Sequence, residues 1–315
     1  MKIAIIGASG LVGRKMIESL TFFNNIELIC YCSSNSKNKV ILGHKMIELS
    51  DQTIKKVDFA LFSAGGNVSK EWAKKFIDLG AIVIDNSNAF RRNENVPLVI
   101  PEINIHSIKN HKLIANPNCS TIQVALVLHY LKPFGLKSVI ASTYQSASGA
   151  GNTGIQDLEN NTTNKFPYIL KDNLIPQIDT PLENGFTLEE DKMMFELKKI
   201  LELPNLHVVC SSIRVPIHYC HGVSVYVEFE QDIDIYKIKH ILNNSKGIVF
   251  KDDLKNNIYP LPSIATNSDS IYVGRIRQDP QNSKAILFWC VADNLRKGAS
   301  TNAIQILTSL INHKK

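Results

Sequence analysis

The chain has 315 residues, 44% hydrophobic and 20% charged, with 16 glycines and 12 prolines, a composition that excludes disordered, collagenous and coiled-coil classes. Its net charge of +6, from 35 basic and 29 acidic residues, is spread thinly with no arginine-rich block, which favours anionic small molecules over nucleic acid. Apolar runs such as Val139-Ile140-Ala141 fall far short of the roughly 20 residues that cross a bilayer. The charged start of the chain meets glycines before a secretory h-region develops, and six cysteines in a chain this long make no disulfide framework. The expectation is a cytoplasmic, reduced protein with no membrane or nucleic-acid partner, long enough for two domains.

In chain order, Ile3–Ile6 is a continuous apolar run, as in a strand buried on both faces. Leu11–Leu20 carries apolar residues at 11, 12, 16, 17 and 20, a helical spacing. Further strands are predicted at Ile26–Tyr31, Val57–Ser63, Ala81–Asp85 and Lys112–Ala115, with a helix over Val68–Leu79. This alternation implies a parallel sheet with right-handed crossovers. From Cys119 the pattern changes. A helix over Ser120–Leu131 and a strand at Ser138–Thr143 precede a polar, loop-rich stretch from Ala147 to Asn184. A helix over Leu188–Leu201 leads into the runs Leu206–Val215, Val223–Glu230, Ile271–Arg277 and Lys284–Ala292. Val223, Val225, Val227 and Phe229 recur at period two, as in a sheet with one face covered. The amphipathic segment Ala299–Ile311 should be a final helix packing back on the first domain. The predicted class is α/β: a Rossmann-type parallel-sheet dinucleotide-binding domain from residues 1–118 and 298–315, and an α+β domain with a mixed sheet from residues 119–297.

The first strand runs into Gly7-Ala8-Ser9-Gly10-Leu11-Val12-Gly13 and then a helix. Glycines there permit a tight turn, close approach of a pyrophosphate and packing of helix on sheet, and the helix start turns its N–H groups to the phosphates. The spacing is G-x-x-G-x-x-G, so its position between strand and helix carries the reading, against a plain strand-to-helix turn. NAD-binding folds usually place an acid at the end of the second strand. Here that strand ends Cys30-Tyr31-Cys32-Ser33-Ser34-Asn35-Ser36-Lys37, without a carboxylate. Hydroxyls and a lysine suit a 2′-phosphate, so the expected cofactor is NADP. Cys30 and Cys32, without a partner pair, read as core sulfur.

Asn116-Pro117-Asn118-Cys119-Ser120-Thr121 precedes an apolar helix. A cysteine at a helix N-terminus feels positive partial charge, which raises its thiolate fraction; a buried cysteine near a helix start is the competing reading. Residues 116–123, with Ser142-Thr143-Tyr144-Gln145 and Ser148-Gly149-Ala150-Gly151, resemble the aspartate-β-semialdehyde dehydrogenase family. So do Phe62-Ser63-Ala64-Gly65-Gly66, residues 85–91, Asn173-Leu174-Ile175-Pro176-Gln177 and residues 292–299, in family order through nearly the whole chain. The resemblance implies a homodimer, with a tetramer also open, reducing β-aspartyl phosphate with NADPH to aspartate semialdehyde and phosphate. That reaction serves lysine, threonine, methionine and diaminopimelate synthesis.

On the same resemblance Cys119 is the nucleophile that forms a thioester, and Gln145 and Asn118 lie by the substrate. Arg214 takes the substrate carboxylate and His221 is the acid/base catalyst. Arg91 and Lys192 are the phosphate-binding pair, and Glu189 is a substrate-contacting acid, although its charged stretch read alone is a solvated helix face. Gly7, Ser9, Gly10, Leu11, Val12 and Gly13, then Asn35 and Ser36, and finally Ser148, Gly149 and Asn294 match the cofactor-binding positions. Asn35 stands where the family often has arginine, which should narrow the preference for NADP over NAD. Gly222-Val223 replaces the family's common Ser-Glu after the histidine, putting the support of His221 in question. N-acetylglutamyl-phosphate reductase and glyceraldehyde-3-phosphate dehydrogenase use similar chemistry, but their cysteine surroundings differ. A nucleotide sensor that has lost catalysis has no need of Cys119, Gln145, Arg214 and His221 together.

Cys210, His218, Cys220 and His221 fit no common zinc spacing, so no metal is expected and His218 reads as structural or surface. Seven residues of straight strand would hold Arg214 and His221 about 23 Å apart on opposite faces. The chain must therefore bend between them, at Pro216, with Gly222 adding freedom beyond His221. Arg214 should end one strand and His221 begin the next, both facing Cys119, with the histidine titrating near neutral pH.

Overall fold

The computed structural model describes residues 1–313, which divide into two compact units: Met1–Asn118 with the segment from Ala299, and Cys119–Gly298. The first unit is built on seven strands: β1 (Lys2–Ile6), β2 (Glu27–Cys32), β3 (Val40–Ile41), β4 (His44–Glu48), β5 (Phe59–Phe62), β6 (Ile82–Asp85) and β7 (Leu113–Ala115). Their order is β3-β4-β2-β1-β5-β6-β7, and every pair is parallel except β3 with β4. Helices α1 (Leu11–Leu20), α2 (Gly66–Asp78) and the short α3 (Pro101–Asn104) connect them.

β1 reads as an unbroken apolar run because both of its faces are covered. Ile3 and Ile5 pack with Met16, Ile17 and Leu20 of α1, while Ala4 and Ile6 pack with Trp72, Ala73 and Phe76 of α2. The β3–β4 hairpin is not anticipated by the sequence pattern. Its two-residue link, Leu42-Gly43, has positive φ at both positions (49° and 78°), the geometry that matches the twist of a tight hairpin.

The second unit comprises α4 (Cys119–Leu131), β8 (Leu136–Gln145), α5 (Gly151–Asn160), α6 (Leu188–Leu201), β9 (His207–Arg214), β10 (His221–Phe229), α7 (Ile235–Asn243), β11 (Ile248–Phe250), α8 (Pro262–Ala265), β12 (Ile271–Asp279) and β13 (Asn282–Ala292). Its sheet has the order β11-β12-β13-β10-β8-β9. It is mixed, since β8–β9 and β11–β12 are parallel and the remaining pairs antiparallel. Along β10, Val223, Val225, Val227 and Phe229 are buried while Ser224, Tyr226 and Glu228 are half-buried, the period-two pattern of a sheet covered on one face. Helix α4 has no polar face, and all residues from Ser120 to Leu128 are buried, as expected of a helix apolar all round.

The expected loop from Ala147 to Asn184 is corrected by α5, whose two glycines disguise it. Helix α7 has a legible signal in Asp234, which accepts from the N–H groups of Tyr236 and Lys237 as an N-cap. The last helix among the described residues is α9 (Thr301–His313), entered through a π-helical turn at Arg296–Ser300. Its Ala303, Ile306 and Leu307 join the core beneath α1 in the first unit. Among the described residues no helix is long and apolar enough to cross a membrane.

Candidate active site

In the first unit, a cleft of about 410 Å³ opens at the carboxyl ends of β1 and β2, lined by Gly7, Ser9, Gly10, Ser33, Ser34 and Glu48 among others. Each glycine of the turn has a steric reason. A Cβ on Gly7 (φ +87°) would lie 2.8 Å from the Ser63 backbone, and one on Gly13 would lie 2.3 Å from the Gly7 carbonyl oxygen. Gly10 caps α1 without a side chain, and the first turn, which opens with Leu11 and Val12, holds no acid. The helix start therefore presents N–H groups and positive dipole, a fit to a pyrophosphate. The wall of the cleft beyond β2 is Ser33 and Ser34; Asn35 and Ser36 follow in the same short 3-10 turn. Cys30 and Cys32 are core sulfur as expected, both buried in the core of the first unit, and Cys32 also lines the cleft.

Arg91 and Asn118 also belong to the first unit, and both are buried. The Arg91 guanidinium donates from Nη2 to the Asn86 carbonyl at 2.7 Å. Next to it Asp85, buried between the hydroxyls of Ser69 and Ser87 at 2.6 Å each, has its pKa raised by burial against the pull of these hydrogen bonds and of Arg91.

In the second unit, strand register assembles the polar groups. Gln145 ends β8 and lies opposite Arg214, the last residue of β9, on one side and His221, the first of β10, on the other. Residues seven apart in sequence are thus brought to flank one glutamine. The chain turns between them through Val215–Cys220, with Pro216 inside the turn. The positive φ that permits the reversal is at Cys220 (70°). Gly222 is glycine for a different reason from the expected freedom: a Cβ there would lie 2.3 Å from the Trp289 ring.

His221 is fully buried. Its Nδ1 accepts from the Ser146 N–H at 3.1 Å, with the Ser146 hydroxyl at 3.2 Å. The ring proton of the neutral form is therefore on Nε2, which has no partner among the described residues. The expectation of a near-neutral titration is corrected: burial first, then the adjacent Arg214 cation, depress the pKa to about 3. Ser146 supplies the support that the Gly222-Val223 sequence put in question, and it was not singled out in the sequence although it directly follows Gln145. NMR of ¹⁵N-histidine-labelled protein, with His221→Ala for assignment, should show a neutral Nε2–H ring throughout pH 5–8. A midpoint near 6.5, the ordinary value for histidine, would contradict the geometry.

The Arg214 guanidinium donates from Nη1 to the Ser146 carbonyl at 2.6 Å and lies over the Phe166 ring, 5.7 Å from its centroid. Gln145 donates from Nε2 to Glu189 at 3.0 Å and to Thr143 at 3.2 Å. Lys192 bridges Glu189 at 3.0 Å and Asp179 at 2.6 Å; burial lowers its pKa, but the two carboxylates outweigh that and raise it. Asn294 Oδ1 accepts from the Cys220 N–H at 3.0 Å and the Ser148 hydroxyl at 3.1 Å, tying the loop after β8 to the turn before His221. Gly149 sits against the Arg214 and His221 side chains: its Cβ would fall 2.8 Å from Arg214 Nη1 and 3.2 Å from His221 Nε2.

Cys119 is the first residue of α4 and half-buried, while the other five cysteines are buried. Burial raises the thiol of Cys30 to about 11 and those of Cys210 and Cys220 to about 12. The Cys119 charge acts on Arg214, and its Cβ packs so closely on Gly298 that an added methyl there would approach to 3.0 Å. The residues weighed as a zinc set disperse: Cys210 meets Met193, Cys220 meets Pro262 and Thr266, and His218 is exposed beside Glu159.

The two halves of the chain match two family models: residues 2–111 the semialdehyde dehydrogenase NAD binding domain, and residues 128–297 the semialdehyde dehydrogenase dimerisation domain. The chain is 42% identical to aspartate-semialdehyde dehydrogenase of Aquifex aeolicus over 98% of both chains. It is 39% identical to that of Bacillus subtilis, over 98% of this chain and 97% of the other. Among solved structures, aspartate semialdehyde dehydrogenase II from Vibrio cholerae, complexed with ASA, superposes with a TM-score of 0.94 at 37% identity, over 99% and 98% of the two chains. The glycine turn under a nucleotide-sized cleft and the Arg214–Gln145–His221 row are thus set in a chain that matches these relatives from end to end, and it belongs to the aspartate-semialdehyde dehydrogenase family of oxidoreductases.

Proposed function

We propose that the protein reduces β-aspartyl phosphate to aspartate semialdehyde and phosphate with NADPH, through a thioester on Cys119, in the cytoplasmic synthesis of lysine, threonine and methionine. The observation that carries this reading is the row of Arg214, Gln145 and His221 across three adjacent strands, with Cys119 within electrostatic reach of Arg214. Residues 1–118 and 298–315 act as the cofactor domain and residues 119–297 as the catalytic and dimerisation domain.

The Cys119 thiolate attacks the acyl carbon; the C–S bond forms, the bond to the phosphate oxygen breaks, and phosphate departs, taking up a proton from solvent. NADPH, when bound, supplies the hydride that reduces the thioester. Each tetrahedral stage places negative charge on the former carbonyl oxygen. The neutral Nε2–H of His221, oriented by Ser146 and buried away from water, is the donor for that charge. The final alkoxide collapses by expelling the Cys119 thiolate, so the ring keeps its proton over a turnover. Arg214 holds the substrate α-carboxylate as a two-point charge-assisted pair. Gln145 Nε2 is taken by Glu189 and Thr143, so Oε1 is the atom that meets the α-ammonium. Arg91 and Lys192 bind the phosphate, which competes with Asp179 for the Lys192 ammonium. The second unit forms a homodimer through the uncovered sheet face, where Ile140 is 47% exposed and Tyr144 rests on Trp289.

Supplied with aspartate semialdehyde, phosphate and NADP, the protein should generate the near-ultraviolet absorbance of reduced nicotinamide. No absorbance rise, or one independent of phosphate, would overturn the assignment. Arg214→Lys keeps the charge but loses the planar fork. Its KM for the semialdehyde should rise about tenfold or more, the scale of a lost charged hydrogen bond, with the Kd for NADP unchanged in a binding titration.

A further inference from the structure

The carboxylate that the second strand lacks is supplied by its neighbour in the sheet. β2 pairs in parallel with β4, and Cys32 lies opposite Glu48, the last residue of β4. Both strands end at the edge where open α/β sheets receive their ligands. Glu48 there lines the same cleft as Gly7, Gly10, Ser33 and Ser34. Its Oε2 is 2.9 Å from the Nζ of Lys37, both side chains being partly exposed, and the hydrogen bond to Glu48 raises the Lys37 pKa. The lysine that the sequence offers to a 2′-phosphate is therefore already held by an acid, and that acid faces the cleft.

The two groups have opposite preferences. A carboxylate accepts hydrogen bonds from ribose hydroxyls and repels a phosphate dianion, whereas an ammonium attracts the phosphate. Lys39, whose charge acts on Cys32, adds a further positive field on the side of the phosphate. Resting on the reading of the cleft as the adenosine end of a nicotinamide dinucleotide site, we propose that the Glu48–Lys37 pair is its selectivity element. Glu48 holds the ribose 2′-hydroxyl of NAD, and Lys37, released from Glu48, holds the 2′-phosphate of NADP. Entry of NADP breaks the ion pair and leaves Glu48 near the phosphate. That opposition keeps its advantage over NAD small, and both cofactors bind.

The test is a calorimetric titration of the wild type, Glu48→Gln and Lys37→Gln with NADP and NAD, repeated with 2′,5′-ADP and 5′-AMP so that no turnover is involved. Both side chains are partly exposed, and a thermal melt of each variant checks that the fold is kept. The wild type should favour NADP by about tenfold or less. Glu48→Gln should widen that ratio by about tenfold, and Lys37→Gln should move it about tenfold toward NAD, the scale of one partly screened charge contact. The adenosine fragments should follow the same ratios. A pair that serves only to brace the strands would weaken both ligands of each couple equally. Unchanged ratios with intact binding overturn the proposal and leave the site standing. If neither dinucleotide nor fragment binds the wild type, the reading of the cleft falls, and the proposal with it.

Discussion

Replacement of Cys119 by serine should leave a folded protein that binds NADP and shows turnover reduced by about 10³-fold or more, the scale on which loss of a catalytic nucleophile is felt. The hydroxyl is nearly isosteric, but its pKa is too high for it to act as the thiolate does. Cys119 starts α4, so the change removes no core volume and the melting temperature should move little. Alkylation at neutral pH gives a second reading of the same property. Cys30, Cys210 and Cys220 are buried, with thiols at about 11 to 12, so label should appear on Cys119 first. Comparable labelling of Cys220 or Cys30 in the native protein, or a serine variant that turns over at near wild-type rate, would overturn the assignment.

Gly149→Ala should be almost as damaging although it adds a single methyl. The new carbon falls 2.8 Å from Arg214 Nη1 and within 3.2 Å of the His221 ring, closer than packed atoms tolerate. His221 is pinned by Ser146 and cannot give way. Arg214 can, because its Nη1 is the far end of a flexible chain, but moving it breaks the 2.6 Å bond to the Ser146 carbonyl. The fold should survive, with the cost concentrated in the site. A displacement of about 1 Å in a positioned group is felt as roughly 10²-fold in rate. Steady-state kinetics should show that loss in kcat/KM for the semialdehyde. A variant within twofold of wild type would mean that Arg214 and His221 are not the groups that meet the substrate.

Several features were legible in the sequence because their causes are local. The Gly7–Gly13 turn, the continuous β1 run and the alternation of Val223, Val225, Val227 and Phe229 each report a constraint acting within a few residues. Helix α6 is found at its predicted bounds, Leu188–Leu201, where Thr187 and Glu190 form a capping box. Helix α5 and the β3–β4 hairpin escaped because Gly151, Gly154 and a two-residue strand leave too short a period to read. The turn around Pro216 was correctly placed by proline's missing donor, but the residue with unusual backbone proved to be Cys220, which no propensity favours.

What only the tertiary structure decided is which distant residues share a row. Strand register set Arg214 and His221 on either side of Gln145 and brought Glu48 beside Ser33 and Ser34 in the nucleotide cleft. It also gave His221 a Ser146 N–H and a buried cation as neighbours, and so a neutral ring. The sequence by itself determined the family, the glycine turn and the place of Cys119 at a helix start, since each is written in contiguous residues. Protonation state and cofactor choice depend on charge and solvent a few ångströms away through space, and those distances exist only once non-local strands have paired.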